Sequence, residues 1–507
     1  MSFVSIEFFV FLAALFGAYF ITPGKHQWKV IPVFSMIFYL SHGLDSILFI
    51  LITISITYYV GIFLNKEDDK FKELKKQCED REQKKVYKEI CNKNKKRVMV
   101  IGLVSIFGIW IILKYTNMFK ISPLGISIYT FIAAGYCIDV YREKFKAEKN
   151  FGKYFAFITF FPQIIQGPFS RYDVLSQSLY EKHNFEFERF SQGVLRICYG
   201  YFKKLVIANR LTVAVDAIMG PDSVYGGIYI FMLFIILPIR LYADFSGYMD
   251  IVIGVCRILG IDLQENFKQP IFAKSIDEFW RRWHITLGAW FKDYLFYTVS
   301  MGKRAQKIAK KCKTKLSPAT ARMIPSYMAL VLVWSATGLW HGGKPTYLIW
   351  GWINLVCIVS SMQLKSFYAK VKEKLHIKDE NKMWQLFQML RTFLIFGFAE
   401  MVSDTQSVYR MIMNCKSLIL VHNWDLVWTP IKLLPGLDIK DFIILLISVL
   451  FMYMIDVLKE KEININLVIH KYPAWIRYIG YAVLFYFILI FGYVGTNAAE
   501  GFMYAQF

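Results

Sequence analysis

Apolar runs of membrane-spanning length recur along the whole chain, separated by short polar or strongly basic segments. A helix needs about 20 apolar residues to cross the hydrocarbon of a bilayer. Runs on that scale lie near residues 4–21, 30–41, 43–64, 98–115, 123–140, 193–218, 226–242, 244–260, 284–300, 325–341, 346–364, 388–402, 441–457 and 475–494. A segment in lipid must satisfy its backbone polar groups internally, so these runs are read as helices. Several are short or half-polar, and the expected architecture is an all-α polytopic membrane protein of about ten to thirteen transmembrane helices. Composition agrees: 56% of the 507 residues are hydrophobic and mean hydropathy is +0.38, too apolar for a soluble protein of this length. One integral membrane domain over residues 1–507 is expected, multi-pass in the cell membrane.

The charge is unevenly placed. Lys and Arg outnumber Asp and Glu by 60 to 38, a formal charge of +22. Residues 65–97 hold thirteen basic and eight acidic side chains in helical spacing, and residues 302–322 hold eight basic and no acidic ones. A third basic loop covers residues 142–153. Clustering of this kind is the positive-inside bias and contact with anionic lipid, not nucleic-acid binding. All three loops are therefore placed in the cytoplasm. Counting back through three spans from the first of them puts the amino terminus outside. The first run, Phe8 to Ile21, has no basic n-region and no small-x-small cleavage site, and reads as a retained helix. The eight cysteines include no C-x-x-C pair, so neither a disulfide framework nor a zinc site is expected. No internal repeat of the transporter kind is visible.

Between residues 155 and 172 the sequence is half-polar and broken by Pro162, Gly167 and Pro168. Broken backbone at membrane depth is tolerated where protein buries it or it lines a wet cavity. A re-entrant element and an interfacial helix followed by a loop are both open readings.

Ionisable groups inside apolar segments are costly and mark candidate chemistry. The stretch Phe279-Trp-Arg-Arg-Trp-His284 carries Arg281, Arg282, Trp283 and His284, and the apolar run ending at Trp340 delivers His341, followed by Gly342 and Gly343. A buried imidazole tends to stay neutral and can take a proton from a hydroxyl, the profile of a general base. A hydrogen-bonded interfacial histidine is the competing reading. Arg281 and Arg282 are placed to neutralise a phosphate or an acidic acceptor, or to snorkel to headgroups. Asp244, Ser246, Tyr248 and Asp250 surround Gly247 at a junction of two apolar runs; carboxylates there need partners, for which Arg240, Arg257 and the Arg281–Arg282 pair are candidates. Polar glue between helices and catalysis are both open for this group.

The residues also carry a resemblance. Ile138-Asp-Val-Tyr-Arg142, Phe161-Pro-Gln163 with Gln166-Gly-Pro168, and Lys203-Lys204 with Ala208-Asn-Arg210 occur in that order. They are followed by Asp244-Phe-Ser-Gly-Tyr248, Asn266-Phe267 with Pro270, the Phe279–Leu295 block, Gly338-Leu-Trp-His-Gly342 and the terminal Phe502–Phe507. Together they resemble the membrane-bound O-acyltransferase superfamily, in its bacterial branch of alginate O-acetyltransferases and D-alanyl transfer proteins of teichoic acid modification. The resemblance implies a ring of helices with re-entrant segments around a funnel and tunnel, with His341 catalytic and His284 important for activity. It leaves Arg281, Arg282, Trp283, Trp340, Asp244 and Gln166 as candidate substrate contacts. It implies no bound cofactor or metal; an acyl thioester, acetyl-CoA or an acyl carrier, is the cytoplasmic substrate. Where alginate enzymes continue with a Pro-Leu-Gly-Gly-Asn-Arg-like turn, this chain has Tyr297–Arg304 instead.

The Trp-Arg-Arg-Trp-His spelling favours an acetyltransferase acting on hydroxyls of an exported surface polysaccharide, or on a secreted or anchored partner protein in that pathway. The alternative within the family is D-alanylation of teichoic acid from a phosphopantetheine carrier. From another class, a transporter or a scaffold of polysaccharide export is the alternative.

Overall fold

The computed structural model describes residues 1–78, 80–116 and 123–493; the terminal Phe502–Phe507 motif lies outside them. The described residues are helical, with no strand among them. The helices are α1 (Ile6–Ile21), α2 (Val30–Leu40), α3 (Leu44–Gln77), α4 (Arg81–Tyr115), α5 (Ile126–Tyr141), α6 (Phe151–Thr159), α7 (Tyr172–Leu179), α8 (Phe187–Tyr201), α9 (Asn209–Met219), α10 (Ile228–Leu259), α11 (Ile276–Arg282) and α12 (Ile285–Trp290). They continue as α13 (Tyr297–Ser300), α14 (Lys303–Cys312), α15 (Pro318–His341), α16 (Pro345–Gln363), α17 (Lys365–Lys374), α18 (Lys382–Asp404), α19 (Val408–Leu420), α20 (Ile439–Glu460), α21 (Ile465–His470) and α22 (Ala474–Phe491). Two π-helical segments, Phe202–Ala208 and Phe291–Phe296, join α8 to α9 and α12 to α13.

Eight of these helices are long and apolar enough to cross a membrane, and α1 and α5 are shorter apolar helices. The chain is a multi-pass membrane protein. Several expected spans differ from the structure: 193–218 is divided among α8, a π segment and α9, and 30–41 is the 11-residue α2. Residues 226–242 and 244–260 form the single helix α10, 32 residues long with Pro238 inside it. The polar cluster at residues 244–250 does not end that helix because partners on the preceding helix receive its side chains. Residues 284–300, apolar enough for a span, are instead divided among α12, a π segment and α13, with a left-handed residue at their start.

The chain divides into two compact units, Met1–Val194 with Val252–Gln264, and Leu195–Ile251 with Glu265–Phe507. In the first, α3 and α4 pack antiparallel, and the charged stretch at residues 65–97 is the polar end of that hairpin. There the buried Lys95 ammonium bonds Asp68 at 2.5 Å and Glu143 at 2.9 Å. Asp139 is held by Lys144 at 2.7 Å. The broken stretch is a short α6, a 3-10 turn (Phe161–Gln163) and non-helical backbone that is buried from Phe160 to Ser170. That burial favours the re-entrant reading over a surface helix and loop.

In the second unit two close helix crossings set the frame. A Cβ on Gly200 would stand 2.6 Å from the carbonyl oxygen of Gly247, so the two backbones touch. Around that contact, Lys204 bonds Asp244 at 2.6 Å, while Lys203 bonds Ser246 at 2.7 Å and Asp250 at 2.5 Å, and Arg196 reaches Asp250 at 2.9 Å. The partners of Asp244 and Asp250 are thus the Lys203–Lys204 pair and Arg196. Arg240 pairs with Asp404 at 2.9 Å instead. At the second crossing α15 and α16 run antiparallel, and a Cβ on Gly351 would lie 2.5 Å from the carbonyl of Trp334, one on Gly338 2.7 Å from that of Tyr347. Side-chain-free surfaces at these positions let the helices approach closely enough to bring the end of α15 onto the start of α16.

Candidate active site

His341 is the last residue of α15, and Gly342, at φ 160°, carries the chain away in extended backbone. The close crossing delivers its imidazole to α16: the ring centroid lies 4.8 Å from that of Trp350, edge to face, and 6.1 Å from that of Tyr347. On its own helix the Trp340 ring is 4.9 Å away. Trp350 is fixed from behind, since its indole N–H donates to Glu400 Oε1 on α18 at 2.8 Å.

His284 arrives by a different construction. It is the N-cap of α12, with φ 45° and ψ 50°, a left-handed conformation uncommon for a residue with a side chain. Asn266 clips the turn. Its carbonyl accepts the Ile285 N–H at 3.1 Å, and its side-chain Oδ1 accepts the Thr286 N–H at 3.0 Å and the Thr286 hydroxyl at 2.7 Å. Two residues on, the Lys268 N–H donates to the Arg282 carbonyl at 2.9 Å. Held so, the imidazole lies edge to face on Phe245 at 4.8 Å and faces Trp340 at 6.1 Å. It is buried, and that burial, reinforced by the neighbouring His341, holds its pKa well below the ordinary imidazole value. The rings of His284 and His341 thus lie with their centroids 6.1 and 4.9 Å from that of one indole, Trp340.

The remaining expected residues fall in distinct places. Trp283 is buried among Phe279, Phe267 and Phe396, with ring centroids 5.0–5.4 Å away. Arg281 is exposed and pairs with Asp277 one turn back. Arg282 is held by Glu278 at 2.9 Å and Glu460 at 2.7 Å. Each cation is thus ion-paired with at least one carboxylate. Asp244 belongs to the ion cluster at the Gly200–Gly247 contact. Gln166 lies in the first unit, 1% exposed, both amide atoms without a hydrogen-bond partner among the described residues.

Around His341 the structure gathers Arg240 and Trp283, which the sequence marked, with residues it did not. One pocket is lined by Arg240, Trp280, Trp283, His341, Tyr347, Trp350, Glu400, Ser403 and Asp404, with Leu237 and Leu241. Trp280 is oriented by its N–H bond to Asn354 Oδ1 at 2.9 Å and packs against both Trp334 and Trp350. The available signal was Glu400 and Asp404, carboxylates one turn apart at the end of an apolar run. Among the described residues, no cluster of three or more His, Cys, Asp or Glu side chains is placed to hold a metal.

These features define a multi-pass helical membrane protein with two histidines gathered about a buried indole, one of them opening into a polar, aromatic-walled pocket. Residues 141–316 match the model of the membrane-bound O-acyltransferase family (MBOAT), and the chain is an acyltransferase. That match contains His284 and ends before His341. The chain is 26% identical over 90% of its length to a Pseudomonas syringae pv. tomato protein named "Probable alginate O-acetylase AlgI", covering 82% of it. To a Pseudomonas putida protein of the same name it is 37% identical, over 45% of this chain and 43% of that protein. To the Bacillus subtilis teichoic acid D-alanyltransferase it is 29% identical, over 55% of this chain and 68% of that protein.

Proposed function

We propose that the chain moves an acetyl group from a cytoplasmic thioester donor to hydroxyls of an exported cell-surface polysaccharide, or to a partner protein of that pathway. The observation that carries this reading is the placing of His341 in the wall of a pocket, with the rings of both His341 and His284 against that of Trp340. His341 takes the proton as the acceptor oxygen bonds to the acyl carbon. The tetrahedral adduct then collapses, the carbon–sulfur bond breaks, and the thiolate leaves to be protonated. A thioester is activated enough for one base and an ordered site to suffice, and no acyl-enzyme is needed. His284, locked in its turn and neutral, supports the geometry and polarity around Trp340. Identity to proteins named alginate O-acetylase over most of the chain favours acetyl as the group transferred.

The test is base-labile acetate and D-alanine released from the cell surface, in wild type, a deletion strain, and the deletion carrying well-expressed His341→Ala. Loss of acetate in both mutants is expected. Loss of D-alanine would transfer the reading to teichoic acid, and wild-type ester content with His341→Ala would remove His341 as the base.

A further inference from the structure

Helix α19 is amphipathic with its sides reversed: the polar stripe holds the protein and the apolar stripe faces outward. Arg410 donates to the carbonyls of Gly220 and Pro221, just past the end of α9. Two turns on, the Ser417 hydroxyl accepts the Gly227 N–H at 3.3 Å, and past the helix the Asn423 side chain accepts the Ile228 N–H at 3.0 Å. Those two N–H groups stand at the start of α10, where a helix has no internal partner for them. At about 100° per residue, Tyr409, Ile412, Met413, Lys416, Ile419 and Leu420 fall together on another side. All six are exposed, Tyr409 by 74% and Ile419 by 75%. The exposed apolar run continues in sequence through Trp424 and Trp428, the latter 87% exposed. A contiguous apolar patch of this kind marks an interaction surface.

The chemistry of the patch selects its partner. With 13 residues that include Arg410, Asn414 and Ser417, α19 does not span, yet it lies on the connection between α18 and α20, both long and apolar enough to cross a membrane. A bilayer surface is therefore adjacent to this connection. Lys416 lies inside the apolar stripe, and the core of a protein–protein interface is depleted in lysine. At a bilayer surface the same side chain lays its alkyl stem along apolar neighbours and puts its ammonium among headgroup phosphates. Tyr409, Trp424 and Trp428 are of the residue types enriched at headgroup level.

We propose that α19 is an interfacial anchor lying in the plane of the bilayer surface, its apolar stripe among the first acyl carbons and Lys416 at the phosphates, and that lipid, not a partner protein, covers it. With the basic residues 302–322 in the cytoplasm, α15, α16 and α18 cross in succession and place the anchor in the outer leaflet. Through Arg410, Ser417 and Asn423 it ties the neighbouring ends of α9 and α10 to that leaflet. Nothing in this anchoring depends on acyl transfer.

The test is photo-crosslinking of the full-length protein with p-benzoylphenylalanine in place of Ile419, of Trp428 or, as a control, of Asp80, which is exposed at the polar tip of the α3–α4 hairpin. The protein is reconstituted in nanodiscs of phosphatidylethanolamine and phosphatidylglycerol, and adducts are read by mass. Lipid adducts should form at positions 419 and 428 at least about tenfold more often than at position 80. In intact cells the same two positions should again give lipid adducts. Ile419→Asp with Leu420→Asp should lower the lipid adduct at position 428 by about threefold or more. Yields at positions 419 and 428 no higher than at position 80, a discrete protein adduct outweighing the lipid adduct in cells, or an unchanged yield in a folded double variant would overturn the proposal. Each crosslinker position is read first in the otherwise unchanged chain, so misfolding of the double variant leaves that comparison standing.

Discussion

Replacing Asn266 by Ala tests whether the turn at His284 is held or merely happens to lie there. Asn266 is fully buried, and its side-chain oxygen is the acceptor for both the Thr286 N–H at 3.0 Å and the Thr286 hydroxyl at 2.7 Å. A left-handed conformation costs an L-residue about 1–2 kcal/mol, which the surrounding contacts must offset. Leaving a buried donor unsatisfied costs about 1–3 kcal/mol. Two donors lose their acceptor, yet relaxation of the turn recovers part of that cost by releasing the backbone strain. A net shift of about 2 kcal/mol against the competent turn corresponds to roughly a thirtyfold loss in its population. Acetyl transfer by the purified Asn266→Ala protein, as kcat/KM for acetyl-CoA, should fall by about that factor. Thr286→Val, which keeps the N–H bond and removes only the hydroxyl, should fall about fivefold. The control is thermal unfolding in detergent, which must show a folded protein under the assay conditions. Activity within about threefold of wild type for a well-folded Asn266→Ala would mean that packing on Phe245 and Trp340 alone positions His284, and the clip argument would be wrong.

Three further outcomes are expected. His341→Ala should lower the rate of transfer by about a hundred- to ten-thousandfold, with the unfolding temperature little changed, as measured in single-turnover assays. Gly351→Ala places a Cβ 2.5 Å from the Trp334 carbonyl and should destabilise the protein by about 1–3 kcal/mol through parting of α15 and α16, seen as a lower unfolding temperature. Lys204→Met removes the ammonium 2.6 Å from the buried Asp244 carboxylate and should cost about 3–5 kcal/mol, whereas Lys204→Met with Asp244→Leu should recover most of it. Equal unfolding temperatures for the single and double variants would show the pair to be energetically uncoupled.

Long apolar helices were legible because their signal is local: hydropathy places the apolar parts of α3, α4, α15, α16, α18, α20 and α22, whereas the charged continuations that make α3 and α4 34 and 35 residues long are not apolar and were not read as part of the spans. The misreadings are local too. Asp244, Ser246 and Asp250 look like a break between spans until Lys203, Lys204 and Arg196 are brought beside them by a contact between Gly200 and Gly247, distant in sequence. Nothing in residues 283–285 announces a left-handed turn, because the residue that enforces it is Asn266, on a separate segment. Both histidines stood out as polar groups in apolar surroundings. Their approach to Trp340 did not, and neither did Glu400 behind Trp350, since a carboxylate at the end of an apolar run looks the same whether it faces water or supports an indole.

The π-helical segment between α8 and α9 has a consequence for how this region tolerates change. Lys203 and Lys204 leave from it toward α10. The first two residues after the segment turn the other way: Asn209 donates to the Tyr493 carbonyl at 2.9 Å, and Arg210 bonds Asp441 on α20 and the Phe491 carbonyl, each at 2.9 Å. An α-helix advances about 100° per residue, and a π segment absorbs an extra residue in a widened turn. Deleting any one residue from Phe202 to Ala208 would let the rod close into regular geometry while rotating everything beyond it by about 100°. The lysines and the arginine could then no longer reach their separate acidic partners from the same rod. Side chains along this stretch can be exchanged one for another at a graded cost, but its residue count works as a fixed gear ratio between the two clusters it engages.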